Sequence, residues 1–181
     1  MACISWGARV SKEMIERLAK GGVTICYDFY DNFTKADIQE ISPYIKYGFF
    51  SCSHIGEEKT KEILEKCVGL GCRIAIGTRG ANPAIAYDGR EFYTQDVCKV
   101  KATDTMGAGD SFATAMLITI LKKLETQPEG SWKNSEIRAE ILPEALKAAA
   151  VFSAGTCLKN GAFGDGVPVP KSEHDRIYRE L

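Results

Sequence analysis

At 181 residues and a formal net charge of −1, the chain can build one domain with a proper core. It carries no electrostatic footprint for nucleic acid or an anionic membrane. Hydrophobic residues make up 45% and charged residues 26%, and no apolar run reaches the length a bilayer demands. The opening MACISWGARVSKEM lacks the order of a secretory signal, so the expected location is cytoplasmic, with no nucleic acid and no membrane as partner.

The chain alternates between strand and helix patterns. The short apolar run ACISWGA reads as a strand, after which Ser11 caps a helix over KEMIERLAK that ends at Gly21 and Gly22. Residues 23–30, VTICYDFY, read as a buried strand. Thr34 and Asp37 then resemble a capping box for a short helix that closes near Pro43. YGFFSCS (47–53) is the next strand and EEKTKEILEKCVGLG the next helix, with acids at its start and glycine at its end. RIAIGT (73–78) is a strand again, and PAIAYDGREFYT pairs two short strands about a two-residue turn at Asp88-Gly89. Residues 102–121, ATDTMGAGDSFATAMLITIL, lead through glycines into a helix that is apolar all round. A polar loop, ETQPEGSWKNSE, and a final helix from about Pro143 complete the order. Repeated strand–helix–strand units predict an α/β fold of three layers (αβα) with a mainly parallel sheet, and the chain 1–181 reads as a single domain.

Seven cysteines, at positions 3, 26, 52, 67, 72, 98 and 157, form no C-x-x-C, and only His54 and His174 could join them at a zinc site. The expectation is reduced thiols serving as small core hydrophobes. Trp6 and Trp132 read as packing and loop residues, and His174, in a charged tail, as exposed.

The chemistry concentrates at the mouth of the apolar helix. Its first-turn amides lack intrahelical partners, the positive end of its dipole points outward, and Gly107 and Gly109 let a ligand approach the backbone. That is an anion site suited to phosphate or to charge on a transferring phosphoryl group. Asp110 would repel a bound phosphate but could serve beside it as a general base for an attacking hydroxyl. At this level, helix capping explains Asp110 equally well.

The stretch DTMGAGDSF (104–112) resembles the second signature of the ribokinase-like, or PfkB, carbohydrate kinases, D-T-x-G-A-G-D, at all six specified positions. The resemblance implies that Asp110 is the catalytic base and that Gly107, Ala108 and Gly109 form with it an anion hole. It implies that Asp104 and Thr105 lie near the nucleotide phosphates and, in many members, near a monovalent cation such as K+. GTRGANPAIAYDGREFY resembles the family's T-x-G-x-x-G nucleotide turn, placing Thr78 and Gly80 against ATP, although Pro83 stands where the second glycine belongs. KNGAFG resembles the loop that closes over adenine, with Gly161 and Ala162 at its Gly-Ala. The acid that orients Mg2+ would be Glu58, or Glu57 beside it. The family's asparagine is missing from SHIGEE, and first-turn helix charge accounts for these acids as well.

YDFYDNF (27–33) is most similar to the fructoselysine 6-kinase subgroup, which implies a sugar or fructosamine as the small-molecule partner, other sugar kinases of the family being the alternative. The resemblance covers the C-terminal portion of the family fold, leaving the first strands and the β-lid over the sugar unmatched. Such an exposed sheet edge invites pairing with another chain, including a homodimer, and slow turnover is expected of these residues alone. A non-catalytic nucleotide-binding module is the reading from another class. A dinucleotide oxidoreductase fits poorly, because the glycines of GLGCRIAIG precede their strand instead of following it.

Overall fold

Short strands with alternating apolar faces assemble into one six-stranded sheet in a computed structural model that describes residues 1–128 and 130–162. Strands β1 (Ala2–Ser5), β2 (Ile25–Asp28), β3 (Tyr47–Ser51) and β4 (Ile74–Arg79) lie side by side in chain order and run parallel. Two antiparallel strands, β5 (Asn82–Tyr87) and β6 (Phe92–Gln95), extend the sheet beyond β4. The crossovers are helices α1 (Lys12–Lys20), α2 (Lys35–Ile41) and α3 (Glu57–Gly69), while α4 (Ala108–Glu125) and α5 (Ser135–Cys157) follow the hairpin.

Three successive right-handed crossovers in one direction put α1–α3 on the same face of the sheet. The strand period of two then divides the core. Ile25, Tyr27, Phe29, Phe50, Ala75 and Ile85 pack with the α1–α3 side, and Cys26, Tyr47, Phe49, Ile74, Ile76 and Ala86 pack with α4 and α5. The fold is therefore the expected three-layer α/β arrangement. Among the described residues no helix is long and apolar enough to cross a membrane.

Local signals act as read. The Ser11 hydroxyl accepts from the Met14 amide at 3.4 Å, and Thr34 and Asp37 cap α2 reciprocally, at 3.2 and 2.7 Å. Pro43 lies in the 3-10 turn that ends this helix.

Four expectations change. The hairpin turn is longer than two residues: Tyr87 and Phe92 are the last registered pair, and the Asp88 carboxylate folds back to accept from the amides of Arg90 and Glu91, each at 2.9 Å. The last helix starts at Ser135 instead of Pro143, so Pro143 sits inside it. Asn134 caps it by accepting from the Glu136 amide, and Arg138 in its first turns donates to the Trp132 and Lys133 carbonyls and to Asp88. These contacts, with buried Trp132 beneath, outweigh the helix bond that the proline lacks. Third, α4 is buried on one face only: Phe112, Met116, Leu117 and Ile120 point inward, whereas Ile118 and Leu121 are exposed, because α4 and α5 form a single layer. Finally, Cys26, Cys52, Cys67 and Cys72 are core residues, but Cys3 and Cys98 are exposed. His174 lies outside the described residues.

The ion pair from Arg138 Nε to Asp88 Oδ2, 2.8 Å long, joins the β5–β6 turn to α5 with both side chains largely buried. Burial pushes the Asp88 carboxyl up, but the Glu91 amide, Arg138 and the Arg90 amide together bring it below the ordinary value. Asp88→Ala is expected to cost about 3 kcal/mol in urea unfolding, because it strands a buried guanidinium. Arg138→Ala should cost a similar amount, and the double variant well under the sum of the two.

Candidate active site

The mouth of α4 is held by three separate ties. Gly107 precedes the helix with φ 74°, a left-handed conformation, and a Cβ there would lie 2.7 Å from the Ala162 Cβ. The Asp104 carboxylate spans the entry loop: one oxygen accepts from the Met106 amide and the other from the Gly161 amide, both at 3.0 Å. Those amides, Met106 first, hold the Asp104 carboxyl below the usual aspartate range. The last turns of α5 supply the third tie. Ser153 donates to the Ala108 carbonyl at 2.9 Å, the Ser111 and Thr156 hydroxyls lie 2.8 Å apart, and the Thr103 amide donates to the Cys157 carbonyl at 2.8 Å.

The first intrahelical bond of α4 runs from the Ser111 amide to the Gly107 carbonyl at 2.9 Å. It leaves the amides of Gly109 and Asp110 without a helical acceptor. Both residues are exposed, and the Asp110 carboxylate accepts no hydrogen bond among the described residues, so it does not cap its own helix. An exposed acid, free amides and a helix dipole therefore meet at one point.

A cleft of about 590 Å³ opens beside this point. Its walls are the end of β4 and the turn after it, the segment from Gln95 to Val100, and the last turns of α5; Ala108, Gly109 and Phe112 of α4 also line it. The lining is mostly apolar, which suits an aromatic ring, and at Gly109 it adjoins the free amides of the helix mouth, which suit phosphate. Two cations line it, Lys99 and Arg79, and of these Arg79 is buried, donates from Nη1 to Glu57 Oε2 and to the Pro83 carbonyl, each at 3.4 Å, and has an Nε without a partner among the described residues. Lys61 foremost, and Arg79 after it, lower the Glu57 carboxyl.

Of the residues expected from sequence, Thr78, Gly80, Thr105, Ala108 and Gly109 line the cleft. Gly107, Asp104, Gly161 and Ala162 stand together behind it, as the support of the helix mouth. Glu58, whose side chain is 87% exposed in the first turn of α3, pairs with Lys61 at 3.3 Å, while the neighbouring Glu57 is tied to the cleft wall through Arg79.

Sequence reasoning passed over Arg79, although it stands between Thr78 and Gly80. It also passed over the 95–100 segment, where residue type carries no signal because the chain contributes by position. Asp28 was missed as well. It ends β2 on the sheet face that α4 covers, and its carboxyl is raised, first by burial and then by the charge of Asp110. Strand alternation carried that signal: Cys26 and Asp28 share a face.

The chain matches the model of the pfkB family of carbohydrate kinases over residues 8–169. It is similar to the fructosamine kinase FrlD of Bacillus subtilis, with 32% identity over 148 residues that cover 82% of this chain and 46% of that protein. The fructoselysine 6-kinase of Escherichia coli is 33% identical over 159 residues, 87% of this chain and 53% of that protein. Among solved structures, the adenosine kinase of Anopheles gambiae in complex with di(adenosine) tetraphosphate superimposes with a TM-score of 0.65 at 19% identity, covering 93% of this chain and 53% of that one. This likeness extends to the fold. The chain spans about half the length of the curated relatives it matches.

Two outcomes follow for the helix mouth. Gly107→Ala, strained at its left-handed backbone and in collision with Ala162, should cost about 1–3 kcal/mol in thermal or urea unfolding. A lowered Asp104 contributes its ties fully above the ordinary aspartate value and loses them as pH falls through its lower folded value. The amide resonances of Met106 and Gly161 should accordingly titrate together, with a midpoint below the unperturbed value of about 3.9.

Proposed function

The chain belongs to the pfkB family of carbohydrate kinases, and on that premise we propose that its protein transfers the γ-phosphoryl group of ATP to a primary hydroxyl of a sugar, with fructosamines such as fructoselysine as the acceptor class. The observation that carries this reading is the exposed Asp110 carboxylate, without a hydrogen-bond partner among the described residues, beside the free amides at the mouth of α4, with a mostly apolar cleft adjoining.

In this reading the cleft holds the nucleotide with its base among the apolar walls and its phosphates toward Gly109. Asp110 accepts the proton of the acceptor hydroxyl as that oxygen bonds to the γ-phosphorus and the bond to the ADP oxygen breaks. Charge that builds on the transferring group faces the Gly109 and Asp110 amides and the positive end of α4, fixed beforehand by the Asp104 and α5 ties. The support is rigid, which keeps these donors aimed without reorganisation during transfer.

Among the described residues no three His, Cys, Asp or Glu side chains converge on a metal site. A magnesium ion would be held chiefly by nucleotide phosphate oxygens and water, and when bound it would supply charge neutralisation. The first turn of α3 would orient it: Glu58 is the acid expected from sequence, and Glu57 is the one that Arg79 joins to the cleft wall. A monovalent cation near Asp104 and Thr105 would lie against a carboxylate already engaged by two amides. Support for the fructosamine assignment comes from the two relatives, each about a third identical over most of this chain.

Asp110→Asn should lower turnover by about 10³-fold, the range of a positioned general base, while ATP affinity stays within a few fold. Coupled ADP release with fructoselysine, and calorimetry with ATP, measure the two effects. Unchanged turnover would remove Asp110 from this role, and ATP binding without turnover in the parent protein would favour a nucleotide-binding module.

A further inference from the structure

Just past the end of β2 the backbone is strained. Tyr30 has φ 64°, one of two non-glycine residues with positive φ among those described, the other being Arg9. A bulky aromatic residue enters this region at a cost and stays there only when its surroundings hold it. Both of its backbone groups are held: the amide donates to Asp28 Oδ1 at 2.9 Å, and the carbonyl accepts from the Ser51 amide at 2.8 Å. The side chain is not drawn into the core in return, since Tyr30 is 52% exposed. It stands beyond the C-terminal end of a parallel strand, the side of an open α/β sheet where ligands bind.

Asp28 adds a charge to the same place. Its Oδ2 accepts no hydrogen bond among the described residues, and no lysine, arginine or histidine among them pairs with it. It lies partly buried on the face of the sheet that α4 covers, and Asp110 is near enough for the two negative charges to interact. A half-buried carboxylate beside a second one, with no cation of its own, is a site short of positive charge. The nucleotide cleft is bounded by β4, β5 and the segment after β6, whereas β2 lies two strands away from β4. The mouth of α4 thus has a cleft toward one side and Asp28 with Tyr30 toward the other.

We propose that Asp28 and Tyr30 form the acceptor subsite, with the Asp28 carboxylate receiving the protonated amine of an amino sugar and the Tyr30 ring serving as a platform for the sugar's C–H face. This rests on the sugar-kinase reading and names the residues that would make its acceptor cationic. Strain at Tyr30 is the means of presentation: a right-handed or extended residue there would carry its side chain in another direction. The amine of a fructosamine adjoins the sugar carbons, so one ligand spans the carboxylate and the ring.

Two probes that differ in a single group separate the outcomes: 1-amino-1-deoxyfructose, which is cationic, and fructose, which has a hydroxyl in its place. Calorimetry on the wild-type protein should show the amino sugar bound more tightly by on the order of tenfold, and Asp28→Asn should erase that preference while leaving fructose affinity within about twofold. Tyr30→Gly keeps the positive φ and removes the ring. It should hold or raise the melting temperature yet weaken both sugars by roughly fivefold to tenfold. Equal affinity of the wild type for the two sugars, or binding of neither, overturns the proposal, as does a preference that survives Asp28→Asn. Full sugar affinity in Tyr30→Gly overturns the platform. If Asp28→Asn instead raises the magnesium requirement and spares the amine preference, the carboxylate serves the metal and the proposal is also overturned. ADP release is followed separately, so an inactive protein that still prefers the amino sugar counts against the kinase reading and not against this subsite.

Discussion

The site depends on backbone amides that must remain unpaired and yet stay in place. A helix start exposed to water frays, and its dipole loses focus as it does so. Here the first turn of α4 is clasped from behind by Asp104, which joins the Met106 and Gly161 amides, and from the side by Ser153 and Thr156 of α5. Gly107 completes the clasp, because its left-handed turn is also the place where Ala162 approaches most closely. The Gly109 and Asp110 amides are what this arrangement leaves over: among the described residues they have no helical acceptor, while the groups that brace them are paired.

The sheet explains why this mouth opens where it does. Parallel strands β1–β4 bring all their C-terminal ends to one edge, where Ser51 pairs with Thr78 and, on its other side, donates to the Tyr30 carbonyl just past Asp28. The antiparallel hairpin then turns back beside β4 and widens the edge into a wall of the cleft. Placing α4 and α5 together on the opposite face from α1–α3 allows one helix mouth to point at that edge and the end of the other to brace it. The buried pair of Asp88 and Arg138 anchors the far end of the same hairpin to α5, so the wall and the brace are parts of one body.

Charge placement gives the edge a direction. Lys99 and Arg79 line the cleft, Arg79 paired with Glu57, which puts the basic side chains on that side of the helix mouth. Asp28 and Asp110 make the β2 side anionic. A negatively charged group approaching from the cleft and a neutral or cationic partner approaching from β2 would each meet complementary charge, and the amides of α4 lie between them.

The residues of DTMGAGDSF by themselves pointed to an anion site with an acid beside it, since glycines, an acid and an apolar run admit few arrangements, and strand alternation with local caps determined the α/β layers. The same local rules failed where distant contacts outweighed them. Pro143 marks a helix start by propensity, yet Arg138 reaching Asp88 across 50 positions of sequence carries α5 back to Ser135. Asp88-Gly89 marks a two-residue turn, yet the carboxylate is drawn into a wider loop that serves the same ion pair. The apolar run of α4 implied full burial, but only one face found a partner. Asp104 and Gly161 were legible as motif residues, whereas their bond to each other was not. Which polar groups are left free, and therefore reactive, was decided by tertiary structure alone, because a side chain or amide is free only when every neighbour that could satisfy it, near or far in the chain, is engaged elsewhere.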